Sequence, residues 1–202
     1  MGALAIPVVY DEKTVLLADD EPEYLDWLID FLESLGLKVT VAVNVGQAMA
    51  ACEKAWFRIY IIDLNIPLGG WPEPTNATFS HYCGLSIIQA IRSQGNDGRR
   101  VIAYSAHTNA EINAEMRRLY TDFIEKDHAI QLKDRLRELL EQPDQTAAAL
   151  KRVNERITKR ASAKPTSATA SKTCKPRITP SSRKKVSGAK SPTKPLRSPP
   201  SK

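Results

Sequence analysis

Between Thr14 and about Gln142, short apolar runs alternate with amphipathic stretches. The runs are TVLLA, LKVTVA, RIYIID, RVIAYSA and TDFIEK, rich in Val, Ile and Tyr. Short runs of this composition suit strands buried on both faces. The stretches between them keep helical spacing. Leu25, Leu28, Ile29, Leu32 and Leu35 fall on one stripe of a helix predicted over Glu23–Leu35. Pro22 suits its first turn and Gly36 its end. Further helices are predicted over 45–54, 85–91, 109–119 and 129–140.

Strand followed by helix, repeated five times, predicts an α/β fold. It would be a flavodoxin-like doubly wound five-stranded parallel sheet, with helices on both faces. Residues 14–142 form that domain, behind an N-terminal extension over 1–13. In such sheets the functional crevice lies outside the carboxyl ends of the strands.

Charge divides the chain. Residues 1–150 hold 13 Lys/Arg and 22 Asp/Glu, net −9, whereas residues 151–202 hold 16 Lys/Arg and one acid, Glu155, net +15. The two parts therefore face different partners. Over 143–160 a basic amphipathic helix is predicted, with Ala147, Leu150, Val153 and Ile157 as its apolar stripe. Residues 161–202 are Ser, Thr, Pro, Lys and Arg with few large apolar side chains, so disorder is expected there. The tail would attract phosphates without sequence preference. Arg183, Lys184, Lys185, Lys190 and Lys194 are its candidate nucleic-acid contacts. No apolar run approaches the roughly 20 residues of a transmembrane helix, and no positive charge leads the N-terminus as in a signal peptide. The cysteines, Cys52, Cys83 and Cys174, are odd in number and form no CxxC pair. Reduced thiols in a cytoplasmic protein are expected.

The strand ends carry matched chemistry. The first ends in Asp19 and Asp20, the third in Asp63, the fourth in Ser105 and the fifth in Lys126. Converging carboxylates repel unless neutralised, and a hard divalent cation such as Mg²⁺ resolves this. A metal, a hydroxyl and an ammonium around Asp63 would neutralise a phosphoryl group, and Asp63 is the natural nucleophile. Each residue taken singly has a plainer role: Asp20 as a helix cap, Ser105 in a turn, Lys126 on the surface. Their joint placement favours the pocket.

Through ADDEP, DLNIP, YSA and FIEK, the stretch from Thr14 to Leu140 resembles a receiver domain of two-component response regulators. That resemblance implies strand order 2-1-3-4-5. Asp63 would accept a phosphoryl group from a histidine kinase or phosphotransfer protein. Mg²⁺ would be bound by Asp20, Asp63 and the main-chain carbonyl of Asn65, with Asp19 acting through water. Lys126 would pair with a phosphoryl oxygen. Ser105 and Phe123 would be the switch pair, beside the small Ala106, and Pro67 stands at the family's usual distance from Asp63. A receiver of this kind is a phosphoacceptor that loses its phosphoryl group by its own chemistry, rather than a turnover enzyme.

Two departures stand out. Asp127 follows Lys126 where receivers commonly carry Pro. Gly84, matching the glycine that opens the family's third helix, lies 21 positions after Asp63, well beyond the usual separation. The extra segment, within 64–83, carries Trp71, Phe79, His81 and Tyr82. Its aromatics either fold back on the domain or form a partner contact or lid. His81 and Cys83 lack companion metal ligands at useful spacing. The alternative function is a phosphorylation-independent protein-binding module on the same fold. An aspartyl phosphatase is disfavoured, because Asn65 stands where such hydrolases carry a second acid.

Overall fold

A computed structural model describes residues 9–94, 100–147, 150–152 and 155, all within one compact unit, residues 1–164. Its strands are β1 (Val9–Ala18), β2 (Lys38–Ala42), β3 (Ala55–Ile62), β4 (Arg100–Ser105) and β5 (Asp122–Glu125). They form one sheet in the order β2-β1-β3-β4-β5, and every neighbouring pair is parallel. This is the doubly wound fold expected from the strand–helix alternation, in the order that the receiver resemblance implies.

Alternation along the strands feeds two cores. Leu16, Ala18, Tyr60, Ile62, Val101 and Ala103 face one side. Helices α2 (Val45–Lys54), α4 (Gly84–Ser93) and α5 (Ala110–Arg118) contribute Val45, Ile88, Ile112 and their neighbours to that side. Val15, Leu17, Ile59, Ile61, Ile102 and Tyr104 face the other. There α1 (Asp26–Ser34) supplies Leu28 and Leu32, and α6 (Ala129–Glu141) supplies Leu132, Leu136 and Leu139. Each fully buried aliphatic contributes about 1.5–3 kcal/mol. Cover on both faces explains why the inner strands β3 and β4 and the second half of β1 read as near-continuous apolar runs.

Several boundaries differ from the sequence expectation. β1 begins at Val9 rather than Thr14: Val9, Tyr10 and Asp11 pair with Ala55, Trp56 and Phe57 before a register shift between Asp11 and Val15. The polar stretch within the strand is stitched locally. Asp11 Oδ1 accepts from the Lys13 N–H at 2.9 Å, and the Thr14 hydroxyl donates to the Asp11 carbonyl at 2.7 Å. The helix expected from Glu23 opens as a 3-10 turn over Pro22–Leu25, and Leu35, placed on its apolar stripe, is exposed. After α6, Leu150 is buried but Ala147 is exposed. Val153, Ile157 and the tail lie outside the described residues.

The start of β1 and the segment after α6 meet. The Tyr10 hydroxyl donates to Asp144 Oδ2, and the Arg58 guanidinium donates to the Leu140 carbonyl at 2.9 Å while lying 3.7 Å from Asp144. Burial, then the hydrogen bond to Asp144, pushes the Tyr10 phenol up. Burial acts upward on Asp144 too. The Tyr10 hydroxyl, Thr146 and Arg58 outweigh it and hold the carboxyl below its ordinary range.

Candidate functional site at the carboxyl ends of the strands

The sheet's own hydrogen bonds extend past the strand ends and fix the first carboxylates. The Asp19 N–H donates to the Ala42 carbonyl at 3.0 Å, and the Asp63 N–H to the Ala18 carbonyl at 2.8 Å. Each acid then accepts from the backbone two residues on: Asp19 Oδ1 from Glu21 and Asp63 Oδ1 from Asn65, both at 3.1 Å. Asp19 and Asp63 are 1% and 5% exposed, whereas Asp20 is exposed. Carboxylate oxygens of all three come within 4.8 Å of one another.

Lys126 reaches into this group from the turn after β5. Its ammonium lies 2.8 Å from Asp19 Oδ2 and 2.9 Å from Asp63 Oδ2. Its backbone is held on both sides. The Lys126 N–H donates to the Ser105 carbonyl at 3.2 Å, and its carbonyl accepts from the Tyr104 hydroxyl at 2.8 Å. A bond from the His128 N–H to the Glu125 carbonyl, 2.9 Å, closes the turn with Asp127 in the usual proline position. Burial drives the Asp19 carboxyl up against the opposing pull of Lys126. Burial also works against the charged Lys126, but its two carboxylate partners outweigh it and raise its pKa.

Ser105, at the end of β4, is 1% exposed, and its hydroxyl oxygen is buried without a hydrogen-bond partner among the described residues. Buried hydroxyls are ordinarily paired, so this one is available to an incoming acceptor. Phe123 is half-buried against the core on the same side. Ala106 and Asn65 are exposed. The chain thus brings together Asp19, Asp20, Asp63, Ser105 and Lys126 from four strand ends. Arg183, Lys184, Lys185, Lys190 and Lys194 lie outside the described residues. Three carboxylates around one ammonium leave a local excess of negative charge on hard oxygen donors, which fits Mg²⁺. Among the described residues, His81 and Cys83 join no group of prospective metal ligands.

The long segment after Asp63 borders this pocket. It is anchored at its start by bonds from the Val45 and Gly46 N–H groups to the Pro67 and Leu68 carbonyls, 2.9 and 3.1 Å, and at its end by one from Gly84 to Leu64, 3.1 Å. A Cβ on Gly84 would sit 2.0 Å from the Asp63 carbonyl oxygen, so only glycine permits this approach. Within the segment, α3 (Ala77–His81) is capped by Asn76, whose side chain accepts from Thr78 and Phe79. Phe79 is buried in the core, and Trp71 and Tyr82 pack against it. Trp71, Phe79 and Tyr82 thus fold back on the domain, whereas His81 is exposed. Two contacts here have no signal in the sequence: the Tyr104 hydroxyl's bond to the Lys126 carbonyl, and a bond from Asn109 Nδ2 to the Tyr82 hydroxyl at 3.0 Å. Both join residues distant in the chain through neutral side chains, and although Tyr104 stands in YSA, neither contact has a spacing that points to its partner.

The family model for the response regulator receiver domain matches residues 15–141. The chain belongs to that family, a receiver of the two-component type, for which phosphorelay signalling and Mg²⁺ are typical. It is 26% identical over 91 residues to the acid tolerance regulatory protein ActR of Rhizobium meliloti (strain 1021). That match spans 45% of this chain and 40% of ActR. Among solved structures, the CheY-like receiver domain protein of Methanospirillum hungatei JF-1 superposes with a TM-score of 0.52 at 20% identity, covering 65% of this chain and 95% of that one. The non-phosphorylated HemR receiver domain of Leptospira biflexa gives 0.53 at 19% identity, covering 65% and 97%. At those identities the likeness speaks for the fold. Among the described residues, no helix is long and apolar enough to cross a membrane.

Proposed function

We propose that this chain is a cytoplasmic phosphorylation switch with Asp63 as its phosphoacceptor, receiving from a histidine kinase or a phosphotransfer protein. The observation that carries this reading is the Lys126 ammonium 2.9 Å from Asp63, on a residue whose N–H is bonded to the carbonyl of Ser105, itself a strand-end serine with a buried hydroxyl that has no partner among the described residues. An Asp63 carboxylate oxygen attacks the phosphorus of a phosphohistidine, the P–N bond breaks, and the imidazole leaves after taking a proton. Lys126, already aligned by Asp19 and Asp63, follows the charge onto a phosphoryl oxygen, and Ser105 donates its hydroxyl to another. Asp20, Asp63 and the Asn65 carbonyl would hold Mg²⁺, with Asp19 behind them, and the ion would neutralise charge on the transferring group. Attack of water on the phosphorus returns Asp63 to the carboxylate, so the chain resets without being a turnover enzyme.

The switch operates through Ser105 and Phe123. Drawing the hydroxyl toward the phosphoryl group vacates space at the end of β4, and Phe123 turns inward to fill it. The face formed by β4, β5 and α5 then presents a different contact to a downstream protein. The receiver unit is residues 14–142 extended at its start by the first residues of β1, from Val9. The basic tail, through Arg183, Lys184, Lys185, Lys190 and Lys194, contributes a salt-sensitive contact with nucleic acid phosphates.

Incubation with phosphoramidate and Mg²⁺ is expected to give one acid-stable, base-labile acyl phosphate on the wild-type chain and none on Asp63→Asn. An unlabelled wild type, or full labelling of Asp63→Asn, would contradict the assignment.

A further inference from the structure

We propose that Tyr82, in the long segment after Asp63, is a positioning residue: it latches the β4–α5 loop in the unphosphorylated arrangement through Asn109. The proposal rests on Asp63 being the phosphoacceptor.

The loop from Ala106 to Asn109 is exposed throughout and is all that joins Ser105 to α5. Asn109 ends it and does two things. Its Oδ1 accepts from the Ile112 N–H at 2.8 Å, capping α5. Its Nδ2 donates to the Tyr82 hydroxyl at 3.0 Å. Tyr82 is itself held from several sides. Its N–H donates to the carbonyl of Thr78, in the first turn of α3, and its carbonyl accepts from Leu85 in α4, both at 2.9 Å. Two residues on, Gly84 is bonded to Leu64 and pressed against the Asp63 carbonyl. The Tyr82–Asn109 bond therefore ties the moving end of the loop to the peptide that carries the phosphoacceptor.

In this arrangement Lys126 is paired with Asp63 and the Ser105 hydroxyl has no partner, as suits the pocket before phosphorylation. Moving Ser105 onto a phosphoryl group draws the loop with it. Asn109 cannot follow while its amide stays on Tyr82. The bond thus adds to the resting state alone, and its loss shifts the population toward the active one. An exposed neutral hydrogen bond of this kind is worth about a two- to fivefold change in that equilibrium.

The test is the affinity for beryllofluoride, a phosphoryl mimic, in the presence of Mg²⁺, read by fluorine NMR on the full chain. Tyr82→Phe removes the acceptor. Asn109→Ser keeps a helix cap but is too short to reach Tyr82. Each variant is expected to bind beryllofluoride about two- to fivefold more tightly than wild type, and the double variant no more tightly than either. Thermal melting, measured alongside, separates a latch from a strut: a purely structural contact lowers Tm and leaves the affinity where it was. Unchanged or weaker binding by Asn109→Ser, or additive effects in the double variant, overturns the latch. A wild-type chain that takes no beryllofluoride brings down the phosphoacceptor reading and the latch together, whereas normal wild-type binding with unmoved variants brings down the latch alone.

Discussion

Replacing Lys126 with Met tests whether the pocket is held together by charge. The ammonium sits within 2.9 Å of two carboxylates, and both are almost fully removed from solvent. Without it, Asp19 and Asp63 face each other with oxygens no more than 4.8 Å apart, a repulsion of about 3 kcal/mol at an effective dielectric near 20. Relaxation and the partial exposure of Lys126 reduce this, so we expect Lys126→Met to be about 2 kcal/mol less stable in urea unfolding at pH 7 with EDTA. Mg²⁺ should restore more stability to the variant than to wild type, because in wild type the ammonium already offsets part of the carboxylates' charge. An ion at a hundred times its dissociation constant contributes about 2.7 kcal/mol. The deficit should also depend on pH. Burial already pushes the Asp19 carboxyl up, and removing Lys126 pushes it further. A carboxyl raised in the folded state contributes stability that is complete below its unfolded pKa and is lost as pH rises through the folded value. The variant should therefore approach wild type near pH 4 and fall behind by pH 7. Equal urea midpoints in EDTA, or equal gains from Mg²⁺, would refute the reasoning.

Other substitutions probe the frame around the pocket. Gly84→Ala forces a Cβ onto the Asp63 carbonyl; we expect a loss of about 2–3 kcal/mol in denaturant unfolding and slower labelling by phosphoramidate. Asp144→Asn addresses acid stability. The Asp144 carboxyl is held low in the folded state, so its contribution is present above the ordinary carboxyl range and disappears as pH falls through the depressed value. Wild type should lose stability over that interval, and the variant, less stable at pH 7, should show a flatter acid limb by thermal melting. Truncation after Leu150 removes the 16 basic residues of 151–202 and should abolish retention on DNA at low salt. Equal retention by the remaining acidic unit would remove nucleic acid from the account.

Much of this was legible in the sequence because the physics was local or periodic. Buried strands write continuous apolar runs, and LLADD, YIID and YSA placed Asp19, Asp63 and Ser105 at strand ends without further information. Lys126 followed from the same counting. Tyr10 was not legible: its strand passes through Asp11, Glu12 and Lys13, which hide the pattern, and its pairing with Ala55–Phe57 depends on β3 already being in place. Leu35 looked like core by spacing alone, but the helix ends at Ser34 and leaves it on the surface. Tyr82 and Asn109 lie 27 positions apart, and no period links them. Contacts of this kind exist only after the sheet has brought its loops to one edge.

The pairing of Tyr10 with Asp144 has a use in protein engineering. The backbone enters and leaves the receiver at one corner, close enough for two side chains to touch across it. A short peptide joining that entrance to that exit would yield a circular permutant, and leaving both open would let the domain be spliced into a surface loop of a host protein. In either case the seam falls beside the amino ends of the strands, a full sheet length from Asp63. A host joined there would leave the carboxylate pocket at the far end clear of steric interference.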